Sequence, residues 1–220
     1  MSFYSETDPT IGIPRKTGSL ITKALPKDGN RIYSVETPAV IDPITVDELK
    51  AFSRIDYSDE DPLLFSFIKT VTSASEKYTG RAFIKRTTVM KMDYWPGTII
   101  ELPYPPLISV TKVATLDEDD TETEYSSDNY YILTNGTPGK LVLKQGVSEP
   151  INTDRDYGGF LVRYKNGYGD TPDDIPEDLK LGLMMWAAKF QATRIIDPKN
   201  PPPEVASCLD QFRIVDVMIR

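Results

Sequence analysis

The chain has no histidine and a single cysteine, Cys208. Without histidine there can be no imidazole acid–base relay, no Ser-His-Asp triad and no histidine-ligated metal. One cysteine excludes an internal disulfide and any multi-cysteine zinc or iron–sulfur centre. No apolar run approaches the ~18 residues that a membrane span requires. The opening residues Met1 to Thr10 lack the basic and apolar stretches of a secretory signal, so folding in a reducing cytoplasm is expected. Positive charge is also short: 25 Lys and Arg stand against 33 Asp and Glu, a net charge of −8. That deficit argues against tight, sequence-reading nucleic-acid binding, which uses clustered cations. It is compatible with a surface along which DNA slides without sticking.

What remains is 220 residues, 40% hydrophobic and 26% charged, enough for one large domain or two small ones. A chain of this size buries roughly 70% of its extended surface and needs no covalent staple. The 18 prolines indicate many turns and extended connections. Residues 1–43 carry prolines, glycines and scattered apolar side chains without a helical or strand period. They read as an extended N-terminal arm, either draped on the surface or ordered against a neighbouring subunit through residues such as Ile11, Ile13, Ile32, Tyr33 and Val35.

Regular structure is expected from Thr45, where Thr45 and Glu48 form a capping box ahead of a short helix over about 45–53. A second helix over about 60–79 opens on Asp59-Glu60-Asp61-Pro62 and closes at Gly80. Leu63, Phe67, Ala74 and Tyr78 are expected along one face, with Leu64, Ile68 and Val71 beside them. Between about 85 and 165 the apolar period shortens to two, and short strands are separated by Pro, Gly, Asn and Asp clusters. Such short connections predict antiparallel pairing, as a meander. A third long helix over about 176–194 follows, with a broad stripe including Leu179, Leu183, Met185, Trp186 and Phe190 that predicts burial on more than one side. A short helix over about 204–212 and an apolar tail, 214–220, complete the chain. The fold class is therefore α+β: a small bundle of three to four helices with an inserted antiparallel β-rich region and extended terminal arms.

The motifs carry little chemistry. Six carboxylates between Asp117 and Glu124 read as a solvated hairpin tip, not a hydrolytic pair. Asp170, Asp173 and Asp174 lack EF-hand spacing and read as helix capping. Gly167-Tyr168-Gly169 lacks a phosphate-loop pattern and reads as the turn into the third helix. Cys208 has no activating partner and reads as inert packing. No enzyme, cofactor or metal is expected.

The order of motifs resembles the tailed-phage head–tail connector family, also termed adaptor or head-completion proteins. The resemblance covers about residues 44–213. It is carried by Ile44-Thr45-Val46-Asp47-Glu48-Leu49-Lys50, by Tyr78-Thr79-Gly80-Arg81-Ala82-Phe83-Ile84 and by Trp95-Pro96-Gly97. Pro105-Pro106-Leu107-Ile108, Gly167-Tyr168-Gly169-Asp170 and Ile175-Pro176-Glu177-Asp178-Leu179-Lys180 continue it. The arm before residue 44 is longer than the family pattern. The resemblance implies a ring subunit, usually one of twelve, docked under a portal protein in the virion neck. Such a ring extends the channel for genomic DNA and supports a stopper or tail-completion protein, with no membrane involved. The C-terminal residues Phe212, Arg213, Ile214, Val215, Val217, Met218 and Ile219 are expected at the portal contact. Met185, Trp186 and Phe190 are expected at contacts between subunits. Two other readings stand beside this one: another neck or tail component, such as a stopper or tail terminator, and a β-rich binding module using Tyr94, Trp95, Tyr104, Tyr130 and Tyr131.

Overall fold

A computed structural model describes residues 30–151 and 155–214. Among these residues, four α-helices pack into one lobe and eight strands form two antiparallel sheets in the other. The order of elements is β1 (Ile32–Thr37), α1 (Val46–Ser53), α2 (Asp61–Thr79), β2 (Arg86–Met92), β3 (Ile99–Leu102) and β4 (Leu107–Leu116). There follow β5 (Glu122–Glu124), β6 (Tyr130–Leu133), β7 (Gly139–Leu143), β8 (Phe160–Asn166), α3 (Glu177–Thr193) and α4 (Pro203–Leu209).

Local chemistry sets the helix ends. The Thr45 hydroxyl accepts from the Glu48 N–H, and the Glu48 carboxylate accepts from the Thr45 N–H at 2.6 Å, which is the expected capping box. Gly80 ends α2 in the left-handed region at φ 71°. The buried face of α2 is rotated from the expected one. It centres on Leu64, Phe67, Ile68, Val71 and Ala74, whereas Leu63 is exposed. In the helical core these residues meet Leu49, Phe83, Leu179, Leu183, Trp186, Val205 and Leu209. A buried side chain of this size contributes about 1.5–3 kcal/mol. α4 approaches α3 closely because position 182 is glycine: a Cβ there would stand 3.1 Å from Leu209 Cδ2 and 3.2 Å from Cys208 Cβ.

The strands pair antiparallel as expected, but not as a meander. The five-stranded sheet runs β1-β2-β8-β4-β5 and the three-stranded sheet runs β3-β7-β6. The last strand, β8, is central. It buries Phe160, Val162 and Tyr164 on one face and Leu161 on the other, so it needs neighbours on both sides. Met90, Met92, Val113, Val162 and Tyr164 face Ile100, Leu102, Leu141 and Leu143 of the smaller sheet across a shared core. On the outer face, Arg163 on β8 reaches Glu36 on β1 at 2.9 Å and Glu122 on β5 at 3.0 Å. Lys112 on β4 joins Glu122 at 2.7 Å, so charge-assisted bonds cross the whole width of the sheet.

The strand β1 lies inside the stretch read as an irregular arm. Its signal is short: Tyr33 and Val35 alternate with Ser34 and Glu36, and all six residues are exposed. The acidic segment forms the turn between β4 and β5, where Asp117 Oδ1 accepts the N–H groups of Asp119 and Thr121.

The chain crosses between the lobes three times, and the crossings from α2 to β2 and from β8 to α3 are bonded to each other. Tyr168 N–H donates to the Phe83 carbonyl at 3.0 Å, Lys85 N–H to Gly169 at 2.8 Å and Gly167 N–H to Pro106 at 2.9 Å. Gly167 has φ 123°, and a Cβ there would stand 2.6 Å from the carbonyl carbon of Ile84. Only glycine fits such a conformation at such a distance. The Glu76 carboxylate fastens the same junction, accepting from Phe83 N–H at 2.8 Å and from Arg86 at 2.7 Å. Sheets and helices are thus held in a fixed relation.

Candidate functional site

The C-terminal end of the described chain is anchored on the end of α2. Tyr78 donates to Asp210 at 2.6 Å, and the Arg213 guanidinium lies 4.8 Å over the Tyr78 ring. That hydrogen bond to a carboxylate, with burial second, raises the Tyr78 phenol above its ordinary pKa. Arg81 donates to the Phe212 carbonyl, Ile214 N–H donates to Thr79 at 2.9 Å, and the Ile214 side chain covers Gly80. Phe212, Arg213 and Ile214 are therefore held by their own subunit. Val215, Val217, Met218 and Ile219 lie outside the described residues, as do Ile11 and Ile13.

Ile214 stands on the rim of a surface groove of about 460 Å³ that also takes in Arg31, Tyr33, Glu101 and Tyr104. A second groove of about 260 Å³ continues from Tyr33 and Tyr104 along β1, between Val35 and the Lys77 side of α2. On another side of the β lobe, Glu124, Tyr125, Val147, Glu149 and Ile151 line a shallow depression of about 440 Å³.

The residues expected at subunit contacts divide. Trp186 is 2% exposed and belongs to the helical core, so its side chain is already covered within one chain. The broad stripe of α3 is covered by α1, α2 and α4 of the same subunit, which is why it needs apolar residues on more than one side. Met185 and Phe190 are half-buried, with Phe190 against Phe67 at 4.4 Å between ring centroids. Of the aromatics proposed for a binding module, Trp95 and Tyr130 are core residues, and Tyr131 is exposed. Cys208 is half-buried and unpaired. Asp174 bonds the Thr171 N–H at 2.9 Å, capping a short turn ahead of α3. Among the described residues no group of three or more Cys, Asp or Glu could hold a metal ion, and no helix is long and apolar enough to cross a membrane.

The missed features are β1, its groove and the opposite depression. Only β1 had a sequence signal, the alternation at Tyr33 and Val35.

The profile of one protein family, Head completion protein, matches residues 43–214. The chain belongs to this family. Its members are structural components of the head–tail connector, and that is the class of this protein. Among curated protein sequences none matches. Several solved structures share the fold. One is described as the neck of an empty GTA particle computed with C6 symmetry, at 21% identity and TM-score 0.73, covering 86% of this chain and 98% of that one. A second, the virion of a native gene transfer agent particle, matches with the same values. A third, the neck of a native GTA particle computed with C12 symmetry, matches at 20% identity and TM-score 0.69, with the same coverage.

Proposed function

We propose that this connector protein is a subunit of a closed ring in the neck of a phage-like particle. There it continues the DNA channel below the portal protein and presents a platform to a stopper or tail-completion protein. The family match over 43–214 carries this reading. It is supported by a fold shared with chains of neck particles solved with C6 and C12 symmetry. The role is mechanical: rigid subunits close around a passage, and no bond-making step is required. The fixed junction between the lobes suits it, because a soft subunit would let the ring deform under packaged DNA.

The segment from Phe212 onward is the proposed portal contact. Because Ile214 is bonded to Thr79 and packed on Gly80, the cut that tests this should fall after Ile214. Removing residues 215–220 is expected to abolish co-purification with the portal while leaving the melting temperature of the free chain unchanged. Portal binding at full strength by the truncated chain would refute the docking role. Electron microscopy of the full chain mixed with its portal should show a ring below the portal. Particles assembled without the chain that still retain DNA and bear tails would refute the function itself.

A further inference from the structure

We propose that the ring closes through the two opposite flanks of the β lobe, with the β1 flank of one copy packed against the β6 flank of the next; this rests on the ring reading above. The positions of the flanks follow from the topology. β1 and β5 are the two edges of the larger sheet. β1 lies beside β3, since Arg31 donates to the Glu101 carbonyl at 2.9 Å. β5 lies beside β6, since Tyr125 and Tyr130 stack at 6.3 Å. One side of the lobe therefore carries β1 and β3, and the other carries β5 and β6.

Both flanks are apolar where an edge would be expected to be guarded. Ile32 and Val35 on β1 are 61% and 48% exposed. Tyr131 and Leu133 on β6 are 58% and 50% exposed, and Ile151, in the depression with Tyr125, is 78% exposed. Sheet edges that face water are ordinarily blunted by lysine or proline, and neither strand contains either residue. Exposed apolar edges of this kind call for a covering partner.

Charge selects the partner. The groove along β1 holds two cations, Lys77 and Arg86, against one carboxylate, Glu76. Arg86 is engaged by Glu76, whereas Lys77 is exposed and pairs with no carboxylate among the described residues. The opposite depression holds two exposed carboxylates, Glu124 and Glu149, and no cation, and neither is ion-paired among the described residues. On the β6 flank Lys144 lies over the Tyr131 ring, but the neighbouring depression is acidic, and a cationic groove on one side with an acidic depression on the other makes a heterologous interface. Such an interface closes into a ring when the rotation between copies permits.

The test uses the full chain in assembled particles. In a Cys208→Ser background, Val35→Cys and Leu133→Cys together should give, with a short bis-maleimide, a ladder of covalent multimers ending at one ring-sized band. Either cysteine alone should leave monomers, because neither position meets its own copy. Lys77→Glu should remove most of the ladder, and adding Glu124→Lys and Glu149→Lys should restore it. A ring seen by microscopy in these particles without a ladder would overturn this interface and leave the ring reading standing. Dimers from either single cysteine would overturn the heterologous geometry. Necks containing no ring of this chain would overturn both.

Discussion

Replacing Gly167 by alanine tests whether the junction between helices and sheets is as rigid as its hydrogen bonds imply. Two costs combine. An L-residue at φ 123° is strained by about 1–3 kcal/mol. The new Cβ would also stand 2.6 Å from both the carbonyl carbon and oxygen of Ile84 and 2.7 Å from the Lys85 nitrogen. These are backbone atoms and cannot rotate aside, so the two crossings must separate. Separation loosens the bonds from Tyr168 to Phe83 and from Lys85 to Gly169, each worth about 1 kcal/mol. The total is about 3–5 kcal/mol, a large part of the ~5–15 kcal/mol that holds a domain together. At ~2–4 °C per kcal/mol for a chain of this size, the melting temperature should fall by roughly 10 °C in calorimetry or thermal circular dichroism. Gly97→Ala is the control, since φ there is 115° and a Cβ would meet nothing within 4 Å. It should show the conformational cost alone, about half of the full effect. Equal losses at the two positions would refute the argument, because the overlap at Ile84 would then cost nothing.

Other predictions follow from the same geometry. The hydrogen bonds from Arg163, then those from Lys112, hold the Glu122 carboxyl at about 2, below its ordinary 4.5. A depressed carboxyl contributes stability that is complete above its unfolded pKa and is lost as pH falls from about 4.5 towards about 2. Glu122→Gln should therefore lower the melting temperature at pH 7 and converge with the parent near pH 2; a constant difference across that range would refute the linkage. Trp186→Ala should destabilise the isolated subunit by about 3–5 kcal/mol, measured by urea unfolding at a concentration where the chain is monomeric. An unchanged monomer would mean that Trp186 is not core. The full chain should fail to retard duplex DNA even at low salt, where phosphate contacts are strongest. Retardation that weakens steeply with salt would refute the non-adhesive surface argued below.

The sequence was most informative where the determinant is local. The Thr45 and Glu48 capping box, the Gly80 terminator and the Asp117 turn each depend on side chains within a few residues of the backbone they satisfy. The stripe of α3 was legible as doubly buried, but not whose atoms would cover it. Those atoms come from α1, α2 and α4, the last brought in by the close approach at Gly182. Strand order was illegible for the same reason. Glu36, Glu122 and Arg163 are separated by up to 127 residues along the chain, yet they meet on one sheet face. A period of two shows that a strand has two faces; it does not show which strand lies beside it. The two flanks proposed as the ring contact exist only once that order is set, so no motif could have marked them.

The acidic balance has a structural counterpart that bears on how DNA could pass such a subunit. Ten cations among the described residues are held in ion pairs within the subunit, among them Lys50, Arg86, Lys112, Arg163 and Lys189. Arg163 is shared by Glu36 and Glu122, and Lys180 by Glu48 and Glu177. A phosphate that sought one of these cations would have to displace a carboxylate already at bonding distance, and so would gain little from the exchange. The surplus carboxylates, Glu118 and Asp119 in the β4–β5 turn among them, remain exposed. Twelve copies at −8 each would surround a channel with on the order of a hundred negative charges. Internal pairing would thus leave these ten cations with little to gain from the phosphates of a passing duplex. A wall that does not adhere to DNA is what a passage for a genome requires, and in the ring proposed above the acidic surplus and these ion pairs would both work in that direction.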